Sequence, residues 1–157
     1  MIATHETKDT TEAIVAELNR AYAGEWLCAF ACNYMGVAFT GRPGAGNLGG
    51  HLIEAADADF VHQRLLGQRI MALGGRPLGD IAVLADLSRD EYPSLPKETD
   101  FDATVKTVVG IKRQAIERYQ QAAKLAHVSD PVTYLLVAQI MAEEYEHIGH
   151  LARLVTW

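Results

Sequence analysis

Long apolar runs are missing from this sequence of 157 residues. Nothing approaches the ~18 consecutive apolar residues of a membrane span. The polar opening MIATHETKDTTEAI contains no apolar stretch of signal type. The expectation is a cytoplasmic protein with no membrane partner. An excess of positive charge is missing as well, with 14 Lys and Arg against 20 Asp and Glu and a formal net charge of −6. No basic stripe is available to neutralise phosphates, so nucleic acid is not expected as a partner. Cysteine is scarce: Cys28 and Cys32 cannot build a disulfide framework. Four apart in an apolar stretch, they read first as small buried hydrophobes, with a redox or metal role as the alternative. Solenoid-type repeats and low-complexity tracts are also absent. What remains is 49% hydrophobic and 22% charged, the composition of one globular domain over residues 1–157.

Apolar residues recur at steps of three and four in four stretches, which predicts an all-α protein. The first helix is expected over about 9–37, capped by Thr10 or Thr11, with the inward stripe Ile14, Leu18, Ala21, Glu25, Cys28, Cys32, Met35. The second, over about 48–73, carries Leu52, Ala55, Asp59, His62, Leu66, Arg69, Leu73 and stops at Gly74-Gly75-Arg76-Pro77. The third, over about 103–127, carries Val105, Val108, Lys112, Ala115, Tyr119, Ala122. The fourth, over about 131–156, starts at the Ser129-Asp130-Pro131 cap and carries Val137, Ile140, Glu144, His147, Leu151, Leu154. The glycine-rich stretch Gly41–Gly50 makes the first two helices antiparallel, and the tight turn before Asp130 does the same for the last two. Residues 74–102, with Pro77, Pro93 and Pro96, form a crossover long enough to run back along the bundle, with room for a short helix near Ile81 to Leu87.

Each stripe carries ionisable residues where apolar ones are the default. Glu25, Asp59, His62, Lys112, Glu144 and His147 must compensate one another or bind something, because an unpaired buried charge costs several kcal/mol. Asp59-x-x-His62 and Glu144-x-x-His147 each put a carboxylate and an imidazole one turn apart on one face. That oxygen and nitrogen set suits iron, manganese or zinc. With six histidines and 20 acidic residues, chance alone supplies roughly 0.8 such pairs. Their weight therefore lies in falling on inward stripes of two non-adjacent helices. In the competing reading both His62 and His147 face solvent or pair locally, as His147 could with Glu143 and, in the same way, His150 with Glu146.

These residues resemble the ferritin-like superfamily, in its bacterioferritin and Dps-like branch. Leu18-Asn19 through Glu25 resembles that branch's opening "LN…E" helix, whose glutamate is a terminal iron ligand. Asp59-x-x-His62 followed by Arg69-Ile70-Met71-Ala72-Leu73-Gly74-Gly75-Arg76-Pro77 resembles its "E-x-x-H…RI..LGG.P" segment. Lys112 to Tyr119 resembles "ER.AIE.Y", and Glu143-Glu144-Tyr145-Glu146-His147 its "EEEH" ligand pair. The resemblance covers about residues 12–155 and implies a ferritin-like four-helix bundle with one long crossover between helices 2 and 3. It further implies metal ligation by Glu25, Asp59, His62, Glu144 and His147, one or two iron ions, and assembly into a dimer or a larger homo-oligomer. Tyr22, Tyr119 and Cys32 are candidates for orienting the ligands.

The chain departs from the family's pattern at several positions. Lys112 stands where the family has a bridging glutamate, and Asp59 is one methylene shorter than its glutamate. Cys32 replaces a tyrosine, and Phe60 stands where haem-binding members carry the ligating methionine, so no haem is expected. Only ten residues follow His147, too few for the short fifth helix of bacterioferritin. Glu117 is no substitute for Lys112, since five residues turn about 140° off the stripe. Lys112 leaves three outcomes open: an ammonium standing in for a metal, a neutral amine ligand, or a side chain that reaches out to the bundle edge and leaves one metal bound. Three functional readings stand accordingly. One is oxidation of Fe(II) by O2 or peroxide for iron storage or detoxification. The second is a bundle in which Lys112 pairs with the carboxylates, leaving a mono-metal or metal-free structural protein. The third is a dimetal-carboxylate enzyme acting on a small organic substrate.

Overall fold

The computed structural model describes residues 2–39, 46–87, 92–96 and 100–155, and among these residues the chain forms four long helices and one short helix. In chain order they are α1 (Ile2–Phe39), α2 (Leu48–Ala72), α3 (Ile81–Leu87), α4 (Phe101–Ser129) and α5 (Pro131–Val155). No strand occurs among the described residues. None of the helices is long and apolar enough to cross a membrane, among the described residues.

The four stripes become the core. Every member of the α1 and α4 stripes is buried, as are the α2 stripe through Leu66 and Val137, Ile140, Glu144 and Leu151 of α5. Arg69, Leu73, His147 and Leu154 are only half-buried. Two apolar clusters result. One gathers Cys28, Cys32, Met35, Leu52 and Val108, and the other gathers Ile14, Leu18, Leu66, Tyr119, Val137 and Ile140. Both cysteines are free and buried in the first cluster.

Contacts along the helices fix their directions. Gly36 lies against Ile53, Tyr22 against Gly67, and Val15 against Gly75, so α1 and α2 run antiparallel. Arg69 reaches Asp130, and His62 reaches Glu143 and Glu144, so α2 and α5 also run antiparallel. Since α4 turns directly into α5 at Asp130, α4 must run parallel to α2, which needs a connection that returns along the bundle. The glycine-rich stretch read at Gly41–Gly50 falls partly on residues 40–45, outside the described residues, and the crossover falls partly on 88–91 and 97–99, likewise outside them.

Where the chain leaves α2, its end is built from local chemistry. Gly74 adopts φ +79, a left-handed conformation that only glycine takes without penalty. The Gly75 N–H then reaches Ile70 O and the Gly74 N–H reaches Met71 O, satisfying two carbonyls of the last turn. Gly75 passes so close to Val15 that a Cβ would sit 2.6 Å from a valine methyl. Asn19 of α1 clamps the next residues, donating to Arg76 O and accepting from Leu78 N, both at 3.1 Å. At the other junction Asp130 caps α5, accepting from Thr133 N.

The expected boundaries shift most at α1, which starts at Ile2 rather than near residue 9. Thr10 and Thr11 lie inside the helix instead of capping it. Lys8 pairs with Glu12 at 3.9 Å across the place where the cap was read, and a pair of that spacing supports a continuous helix. The short helix read within the crossover is α3, which packs on α1 through the buried Leu84.

Candidate metal centre

At mid-bundle the stripes bring Glu25 (α1), Asp59 and His62 (α2), Lys112 (α4) and Glu144 (α5) together, each at most 1% exposed. One donor atom from each of Glu25, Asp59, His62 and Glu144 lies within 4.8 Å of the other three. The helices place them simply. Asp59 and His62 are one turn apart on α2, while Glu25 and Glu144 face them from either side.

The two nitrogens of the His62 imidazole face different surroundings. Nε2 lies 2.7 Å from Glu143 Oε2, at the solvent edge. Nδ1 points inward, 3.1 Å from Glu144 Oε1 and 3.5 Å from Glu25 Oε2, yet makes no hydrogen bond with either. Donors about 2.1 Å from one ion sit about 3.0–3.4 Å apart at octahedral to tetrahedral angles. The spacing is therefore that of neighbouring ligands. Glu25 Oε2 and Asp59 Oδ2 are also buried with no hydrogen-bond partner. Buried polar atoms are rarely left so, and three at one point suit a cation. Without an ion the surrounding carboxylates favour the protonated ring; an ion at Nδ1 would displace that proton while Nε2 keeps donating to Glu143, the arrangement seen around metal-bound histidines.

Lys112 resolves in favour of one of its three options. Its ammonium donates to Asp59 Oδ1 and lies 3.2 and 3.0 Å from the two oxygens of Glu144. It is fully buried and does not reach out to the bundle edge. Burial opposes its charge, but Asp59 and Glu144 outweigh burial and hold the amine above the ordinary lysine range. A protonated amine has no lone pair to offer a metal. Lys112 thus bridges the two shared carboxylates as a fixed cation.

The other groups respond to the same charges. Burial pushes the Asp59 carboxyl well up despite Lys112, and Glu25 and Glu144 push it the same way. Burial would also raise Glu144, but Lys112 and His62 bring it below its usual range. Burial alone would lower His62, yet Glu144, Glu25 and Glu143 raise it to about 10. With its carboxylates ionised and the His62 imidazole neutral, as a metal ligand must be, the cluster carries three negative charges against one ammonium. One divalent ion cancels the remainder, whereas two leave an excess of positive charge.

His147 does not join this group of four. It lines a separate cavity at the α2–α5 seam, and its Nδ1 is buried without a partner. Burial and Lys112 hold its imidazole below the ordinary range. Of the residues read as orienting ligands, Tyr119 bonds Glu25 Oε1 at 2.5 Å. Cys32 is buried beside the cluster, its thiol pushed up by burial and by Asp59. Tyr22 instead packs on Gly67. Glu143, which anchors His62, was read from the sequence as a local partner of His147 and not as a member of the centre. Its side chain is 43% exposed, and the one signal for it was adjacency to Glu144.

Comparison with known proteins supports this architecture. The chain is 35% identical over 100 residues to the DNA protection during starvation protein of Pyrococcus furiosus, covering 62% of this chain. It spans about half the length of that relative, 53%. A bacterioferritin-related protein of Bacteroides fragilis, described as a dodecameric thioferritin, superposes with a TM-score of 0.84 at 29% identity, over 98% of this chain and 93% of that one. Dps from Thermosynechococcus elongatus superposes with a TM-score of 0.86 over 97% and 96% of the two chains, at 17% identity, a likeness of fold alone. Residues 15–156 match the family described as Ferritin-like domain, and this chain belongs to it.

Proposed function

We propose that this chain is an iron-binding ferritin-like protein that takes one Fe(II) ion at Glu25, Asp59, His62 and Glu144, with Lys112 standing where a second cation would be. The observation that carries the reading is the meeting of unpartnered Glu25 Oε2, Asp59 Oδ2 and His62 Nδ1 beside an ammonium that already bridges Asp59 and Glu144. Three hard carboxylates and one imidazole hold Fe(III) better than Fe(II). The site therefore favours loss of one electron from the bound ion to O2 or peroxide. The Glu143 carboxylate fixes the His62 ring, and Tyr119 fixes Glu25, so the ligands need little rearrangement. The biological role is iron storage or detoxification in a homo-oligomer. Trp26, Phe30, Tyr34 and Val37 leave one exposed apolar face on α1 for a second copy, and sedimentation should find a species larger than the 17.2 kDa chain.

Crystals soaked in Fe(II) and measured at the iron edge test the centre. One anomalous peak among Glu25, Asp59, His62 and Glu144 is expected, and a second peak near residue 112 in the Lys112→Glu variant. The absence of any peak at the first position would overturn the reading. It would favour the alternative that the Lys112 contacts support, a metal-free bundle held together by its ion pairs.

A further inference from the structure

Beyond the central cluster, α2 and α5 enclose a cavity of about 320 Å³ toward the start of α2 and the end of α5. Its walls include His51 and Glu54 from α2 and Glu146, His147 and His150 from α5, over an apolar floor of Ala55, Leu151 and Leu154. Three imidazoles and two carboxylates line it, with no lysine or arginine. The acidic lining favours cations, and the imidazoles select ions that accept nitrogen over calcium or magnesium.

Two distances relate these side chains pairwise. His51 Nδ1 and Glu54 Oε2 are 3.6 Å apart, too long for a hydrogen bond. Two donors about 2.1 Å from a tetrahedral ion are about 3.4 Å apart. The rings of His51 and His150 have centroids 5.6 Å apart. Two imidazoles on one ion at tetrahedral to trigonal angles have centroids about 5.3–5.6 Å apart, given metal–nitrogen bonds of about 2.1 Å. His147 contributes a buried Nδ1 with no partner. His51 and His147 are each half-buried, while Glu54, Glu146 and His150 are exposed side chains on helices, free to swing by a rotamer.

From this we infer a second metal site, in which His51 and His150, with Glu54 and His147, bind a divalent ion of the zinc, cobalt or iron(II) kind. The site uses none of Glu25, Asp59, His62 or Glu144, so it stands whether or not the centre holds iron.

Co(II) is the probe, since its visible absorption reports nitrogen and oxygen ligands at low coordination number. The experiment is a Co(II) titration of the Glu25→Ala variant, in which the central ligand set is broken, followed by anomalous diffraction at the cobalt edge. One equivalent per chain with a visible spectrum is expected, and a peak between His51 and His150. Combining Glu25→Ala with His51→Ala and His150→Ala should weaken that binding at least tenfold while leaving the far-ultraviolet helix signal unchanged. Glu25→Ala protein that binds no Co(II) below millimolar concentration, or cobalt found only elsewhere on the surface, would overturn the assignment. Should Glu25→Ala fail to fold, wild-type protein with and without the two histidine substitutions gives the same comparison, read at the position of the peak.

Discussion

Lys112 sets the chemistry at the scale of single residues. Replacing it by methionine keeps most of its volume but leaves Asp59 and Glu144 buried beside each other without a cation. Removing one partner of a buried pair costs about 3–5 kcal/mol. Urea unfolding of Lys112→Met should show a loss of that order, and adding Asp59→Asn should recover part of it. Full stability in the single variant would show that Lys112 does not pair in solution as it does here. Tyr119→Phe is a milder case. It leaves a buried oxygen of Glu25 without its donor, and a hydrogen bond to a charged group contributes about 1.5–3 kcal/mol. The same denaturation experiment should place this variant between wild type and Lys112→Met.

For whole elements, the bundle depends on how α2 ends and how α5 begins. Gly74→Ala forces a Cβ onto a left-handed residue and should cost about 1–2 kcal/mol, read as a lower denaturation midpoint. The Asp130–Arg69 pair ties the same region to α5 at 2.7 Å. Partial burial raises the Asp130 carboxyl, but hydrogen bonds from Arg69 and Thr133 more than offset this and hold it below its ordinary range. A carboxyl lowered on folding adds stability above its unfolded pKa, and that stability is lost as pH falls through the folded value. Wild type should therefore lose stability on acidification more steeply than Asp130→Asn, and the two curves should converge at low pH. Equal slopes would sink this assignment. These elements also show what could be read in advance. The Gly-Gly stop, the Asp-Pro start and the short helix at Ile81–Leu87 were legible because each is local chemistry. The start of α1 was not, since threonines that often cap a helix also lie within one when the chain continues before them.

Considered as a whole molecule, the chain shows why some site residues were legible and others were not. Glu25, Asp59, His62, Lys112 and Glu144 each broke an apolar stripe, and four helices packed by those stripes have to bring such residues to one place. Glu143, His51 and His150 depend on how α2 sits against α5, which no single periodicity contains, while His147 was read on its stripe but lines the neighbouring cavity instead of joining the four. The difference between the sites has a consequence for global stability. An ion that binds only the folded chain stabilises it by about 2.7 kcal/mol at a hundred times its dissociation constant. In a chain of this size, 1 kcal/mol moves the midpoint by about 2–4 °C, so a filled centre should raise Tm by about 5–10 °C. The measurement belongs in the His51→Ala/His150→Ala background, where the peripheral cavity contributes nothing, under anaerobic Fe(II). There the shift should persist, and adding Glu25→Ala and His62→Ala should abolish it. A shift that survives the loss of those two ligands would place the stabilising ion somewhere other than the middle of the bundle.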